Sequence, residues 1–110
     1  MEIDTQQRDG VAVVACTGRL NMVTSPHLRG ELRSTVEAGT SRVVVDLSET
    51  SFIDSSGLGA LIGGLKEARQ AGGDLRIAGP GQQILTVLRL TNLDKVLRPY
   101  PTVEEALRGW

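Results

Sequence analysis

Arg42-Val43-Val44-Val45-Asp46-Leu47 is apolar nearly throughout. That is the pattern of a strand covered on both faces; a strand with one wet face would alternate. Shortly afterwards the period changes. Leu58, Leu61, Ile62 and Leu65 fall at i, i+3, i+4 and i+7, the spacing of one helix face. A covered strand that feeds an amphipathic helix confines the chain to a layered α/β architecture.

The junction between them reads Phe52-Ile53-Asp54-Ser55-Ser56-Gly57-Leu58-Gly59. It puts a carboxylate and two hydroxyls where a helix begins, with glycines that keep the surface around them low. A helix N-terminus carries unpaired N–H groups and a partial positive charge, so a phosphate on a serine there is accommodated. Asp and Ser are also the usual N-cap residues, and Asp54 can cap while a serine is modified. The junction therefore reads as a phosphorylatable switch on a binding domain, not as an active site.

The remaining chain repeats the alternation of strand and helix. Val11 to Thr17 is a β-branched run after the turn pair Asp9-Gly10, and Met1 to Gln7 can pair with it as an antiparallel edge strand. Ser25-Pro26 reads as N-cap and first helical residue, Leu28, Leu32 and Val36 form one apolar stripe, and Gly39 is the stop. The helix that opens near Ser55 runs to about Ala71 and ends at Gly72-Gly73. Asp74 to Ala78 is a short strand closed by Gly79-Pro80-Gly81. Ile84, Leu85, Val87, Leu88 and Leu90 suggest a helix broken at Thr91-Asn92. Val96-Leu97 is read as a last short strand, and Thr102 as the cap of a final helical turn with Glu104 and Glu105 at its positive end. The expected fold is α/β: a mixed, mostly parallel sheet of about four to five strands against about four helices, in one domain over residues 1–110.

Composition narrows the function. Aromatic residues are 3% of the chain, so the core is aliphatic, and 13 acidic residues nearly cancel 12 basic ones. With no block of like charge, neither nucleic acid nor an anionic membrane is an expected partner. No apolar run approaches the ~20 residues of a membrane span, and Met1 to Asp9 has no signal-peptide pattern. Cys16 is the lone cysteine, which leaves no internal disulfide and no cysteine metal site. These features fit a cytoplasmic protein without metal or cofactor; a monomer when free is the default expectation and not a reading of the sequence.

The order of strand, Gly18-Arg19-Leu20-Asn21, helix, Val43-Val44-Val45-Asp46-Leu47-Ser48 and Phe52-Ile53-Asp54-Ser55-Ser56-Gly57-Leu58-Gly59 resembles the STAS domain family over nearly the whole chain. It is most similar to the bacterial anti-sigma factor antagonists. The resemblance implies a partner-switching role. The unphosphorylated antagonist binds an anti-sigma factor, itself a serine kinase, and a sigma factor is freed. The kinase then phosphorylates the serine after the aspartate, here Ser55 with Ser56 as rival, and a PP2C-type phosphatase reverses the change. Asn21, Met22, Asp54, Ser55, Ser56, Gly57, Gly59 and Gly63 are the residues expected to meet the partner. Asn21 departs from the family, which often has an aspartate there; the change removes a charge beside the switch. Gly59→Ala or Gly63→Ala is expected to stabilise the free domain and weaken binding. STAS domains also serve as constitutive subunits of transporters or signalling assemblies, which is the alternative role.

Other residues carry milder readings. His27 falls in the first turn of the first helix and reads as a surface side chain. A Ser55–His27–Asp54 triad lacks the Gly-x-Ser-x-Gly elbow and would need sequence neighbours as partners, so a hydrolase finds no support. Cys16 reads as a small buried hydrophobe. Gly79-Pro80-Gly81 is a turn and not a phosphate loop. Met22 and Val23 read either as packed on the core or as an exposed apolar part of the partner surface, with the second preferred. Arg69, Arg76, Arg89 and Arg98 read as solvated.

Overall fold

The computed structural model describes every residue from Met1 to Trp110. Its strands are β1 (Glu2–Arg8), β2 (Val11–Leu20), β3 (Arg42–Ile53), β4 (Asp74–Ala78) and β5 (Pro99–Tyr100), and its helices α1 (Ser25–Glu37), α2 (Ser55–Gln70), α3 (Gln82–Leu90) and α4 (Val103–Leu107). The strands form one sheet in chain order, β1-β2-β3-β4-β5. β1 runs antiparallel to β2, and the other pairs are parallel. A two-residue turn makes the one hairpin. Asp9 and Gly10 both have positive φ, 52° and 81°, which matches the strand twist. Each parallel pair is bridged by a helical crossover, as parallel pairing requires.

Alternation along the strands sorts the core into two layers. Ala12, Val14, Cys16, Val43, Val45 and Leu47 join Leu28, Leu32, Leu61, Leu65, Ile84 and Leu88 in one cluster, so α1, α2 and α3 share a face. Val11, Val13, Val44 and Ala78 join Ala106 in a second cluster, with Tyr100, Val103, Leu107 and Trp110 packed on it, so α4 covers the other face. The apolar run of β3 is thus buried from both sides, as its pattern required. The stop signals hold too. Gly73 N–H donates to Ala68 O at 2.8 Å and Gly72 N–H to Arg69 O at 3.0 Å, which closes α2 with the usual glycine C-terminal motif.

Four expectations need correction. β3 does not end at Leu47 but runs to Ile53, because β2 continues beside it through register shifts and pairs Arg19 with Phe52 and Leu20 with Ile53. Ser25 is not the cap of α1. Thr24 holds that position, and Ser25 is buried as the first helical residue, its hydroxyl donating to Asn21 O at 2.6 Å. Val96-Leu97 is no strand. A 3-10 turn occupies Leu93–Lys95, Leu97 plugs the core, and the last strand is Pro99–Tyr100. Arg76 is engaged rather than merely solvated, whereas Arg69 is exposed as expected. Arg69 pairs with Asp74 at 3.1 Å. The Arg76 guanidinium lies 3.9 Å from the Trp110 ring centroid and 5.5 Å from that of Tyr100, and donates to Ala106 O and Arg108 O. That clamp fastens the C-terminal helix to the sheet.

Candidate functional site

The site is built where β3 hands over to α2. Asp54 has extended backbone at the N-cap of α2 and does two jobs with one carboxylate. Its Oδ1 accepts from Gly57 N–H at 3.0 Å, and its Oδ2 accepts from Met22 N–H at 3.2 Å. The first bond caps the helix; the second ties it to the loop that follows β2. The Asp54 N–H in turn donates to Leu20 O at 3.2 Å. Leu58 N–H takes Asp54 O, which leaves the N–H groups of Ser55 and Ser56 open at the positive end of α2.

The loop has its own organiser in Asn21. Its side-chain Oδ1 accepts from Val23 N–H at 3.0 Å and Thr24 N–H at 3.2 Å, while its N–H donates to Thr24 Oγ1 at 3.0 Å. An aspartate could accept the same two bonds, so Asn21 changes the local charge without needing a different turn. This arrangement holds Met22 and Val23 out at 73% and 82% exposure, an apolar pair standing in water.

The two serines differ. Ser55 is exposed, and Ser56 is half-buried. Ser56 lines a groove of about 490 Å³ between the starts of α1 and α2, together with Met22, Ser25, Pro26, Arg29, Gly59 and Ala60. Arg29 reaches this groove from α1 and pairs with Glu67 of α2, which also receives Arg33 at 3.5 Å. His27 is exposed in the first turn of α1. Cys16 is buried in β2, and that burial, with the Asp46 carboxylate adding to it, pushes its thiol up to about 12. It is a packing residue and remains a neutral thiol at ordinary pH.

A family's sequence pattern, described as STAS domain, matches residues 2–106. The chain belongs to the STAS domain family. Its relatives include the anti-sigma-B factor antagonist of Staphylococcus aureus, 31% identical over 97 residues that span 88% of this chain and 90% of the relative. Two Thermotoga relatives, from T. maritima and T. neapolitana, are 35% identical over 69 residues, and there the match spans 61% of the relatives' length. The crystal structure of an anti-sigma factor antagonist from Mycobacterium paratuberculosis superimposes with a TM-score of 0.87 at 31% identity, covering 96% of this chain and 90% of that one.

Within the STAS domain the glycines of α2 are not equivalent. A Cβ on Gly57 would lie 2.6 Å from Ile53 Cγ1 and 2.8 Å from Leu20 O, so Gly57 is there to seat α2 against β2 and β3. Gly63 lies under the Arg29 guanidinium, and Gly64 is packed against Leu32. Only around Gly59 is the space open. The expectation that Gly57 and Gly63 keep the surface low for a partner is therefore corrected: the close approaches they permit are internal. Asp54, Ser55, Asn21, Met22 and Gly59 do come together at one end of the sheet. Sequence reading missed Gln83, whose side chain reaches Ile53 from α3; nothing in the Gln82-Gln83 pair at the start of that helix marks which glutamine turns inward.

Proposed function

We propose that this STAS domain is an anti-sigma factor antagonist, a regulatory binding protein and not an enzyme. In its unphosphorylated form it binds an anti-sigma factor that is also a serine kinase, and phosphorylation of Ser55 breaks the complex; a PP2C-type phosphatase restores it. The reading places it in the cytoplasm, where sigma factors act, and no helix is long and apolar enough to cross a membrane. One observation carries the reading: Ser55 is exposed as the first residue of an Asp54-capped helix, tied through Asp54 to the exposed Met22-Val23 pair. The Staphylococcus aureus and Mycobacterium paratuberculosis relatives, named as antagonists, support the same role.

Electrostatics is sufficient for the switch. Phosphorylation adds about −1.5 to −2 charges. Inside the domain the open Ser55 and Ser56 N–H groups and the helix dipole offset the charge, while the Asp54 carboxylate opposes it, so the fold changes little. Across an interface, one unfavourable unit-charge pair at about 4 Å and an effective dielectric of 20 is worth roughly 4 kcal/mol before screening. A third of that is about tenfold in affinity. The apolar Met22 and Val23 supply area that a partner can cover, and the charge decides whether it stays.

The test is a binding series against the anti-sigma factor, by calorimetry. Ser55→Ala is expected to bind as the unmodified parent does and to be immune to the kinase. Ser55→Asp, with about half the charge of phosphate, is expected to bind several-fold more weakly. Ser55→Asp binding as tightly as the parent would show that charge at this position is not the switch.

A further inference from the structure

β3 is held unequally along its length. β4 pairs with it only from Arg42 to Asp46, so from Leu47 onward the β4-side edge has no strand. At the last residue of β3, a side chain takes over. Ile53 N–H donates to Gln83 Oε1 at 3.0 Å, and Gln83 Nε2 donates to Ile53 O at 2.9 Å. A primary amide carries an acceptor and a donor side by side, so it matches the acceptor and donor of one strand residue, and only one orientation of the amide satisfies both. Gln83 is itself rooted, because Ile84 and Leu88 of the same helix are buried in the main core.

On its other edge Ile53 pairs with Leu20, and the next N–H, that of Asp54, donates to Leu20 O. The residue before Asp54 is thus clamped from both sides, and Asp54 then carries α2 and the Met22 loop on its two carboxylate oxygens. We propose that Gln83 is a positioning residue for the switch: its carboxamide closes the open end of β3 and so fixes where α2 begins and where the Ser55 hydroxyl stands. The proposal rests on Ser55 being the phosphoacceptor. A phosphoryl acceptor must be held in a narrow range of positions, and without the amide the half-buried end of β3 loses two hydrogen bonds at the point that sets it.

The test uses the full chain and amide hydrogen exchange read by NMR, with Gln83→Ala, Gln83→Glu and Gln82→Ala, whose side chain bonds only to Thr86. In Gln83→Ala the Ile53 amide is expected to exchange about fivefold faster or more, with the Asp54, Ser55 and Met22 amide resonances shifted and the β4 amides of Leu75 and Ile77 unchanged. Gln83→Glu offers only acceptors when ionised, so it is expected to resemble Gln83→Ala at pH 7 and the parent at about pH 4, where a protonated carboxyl again presents both groups. Gln82→Ala should match the parent. An unchanged Ile53 rate, equal acceleration at Leu75 and Ile77, or a glutamate variant indifferent to pH would each overturn the proposal. Phosphate occupancy at Ser55 in cells that make the protein is expected to fall about fivefold in Gln83→Ala and not in Gln82→Ala; equal occupancy in the two would also overturn it. A parent chain without phosphate would instead defeat the phosphoacceptor reading, and the exchange data would still decide whether Gln83 positions the segment.

Discussion

The two halves of β3 are made differently and do different work. From Val43 to Asp46 the strand is paired on both edges, and Val43, Val44 and Val45 are fully buried. From Leu47 to Ile53 only β2 is beside it, and Ser48, Glu49 and Ser51 are exposed. The first half carries the fold. The second carries Asp54 and Ser55 out to the surface, and short polar contacts hold it: the Thr50 hydroxyl donates to Cys16 O at 2.9 Å, and the Gln83 amide clamps Ile53. A half paired on both edges supports a half that carries its last residues to the surface.

The contrast is broken most forcefully by trimming each half in turn. Val45→Ala removes two buried methyl groups between α1, α2 and the sheet and is expected to cost about 2–3 kcal/mol. Glu49→Ala in the outer half should stay within about 0.5 kcal/mol. Urea midpoints at unchanged m-value measure both. Comparable losses at the two positions would erase the distinction.

The same division reappears in α2, between two glycines about half a turn apart. Gly57→Ala drives a methyl into Leu20 and Ile53 and is expected to destabilise by about 1–3 kcal/mol. Gly59→Ala meets open space and should stabilise by up to about 1 kcal/mol. Thermal midpoints should move in opposite directions. If both variants fall, the open side of α2 is not open.

A smaller effect sharpens the boundary between the halves, where Cys16 sits on β2. Its thiol is raised from 9.0 to about 12, chiefly by burial. The unfolded chain therefore loses that proton first, and the contribution is intact below about pH 9 and fades as the pH rises from 9 toward 12. The slope is at most about 1.4 kcal/mol per pH unit. Stability measured from pH 8 to 10 should fall less steeply in Cys16→Ala than in the parent; identical slopes would mean that the thiol is not shielded.

The legible parts of the molecule were those whose physics is local. Val43 to Leu47 declared a doubly covered strand, Leu58 to Leu65 a helix face, and Asp54 a cap, because composition and period suffice for each. The outer half of β3 stayed hidden because Ser48-Glu49-Thr50-Ser51 has no apolar pattern, and its extended form comes from pairing with β2, far away in sequence. Pro99–Tyr100 stayed hidden because two residues have no period, and the strand exists through β4 and the Arg76 clamp. At the site, Asp54, Ser55 and the exposed Met22 could be read from local signals. The roles of Gly57, Gly63 and Gln83 could not, since each is defined by a neighbour on another element: Leu20, Arg29 and Ile53.

The most direct test of the switch is intact mass and phosphosite mapping of the chain purified from cells that produce it, beside Ser55→Ala. One phosphate on Ser55, absent from the variant, is the expected result. A phosphate that persists in Ser55→Ala, or none under any growth condition, would contradict it.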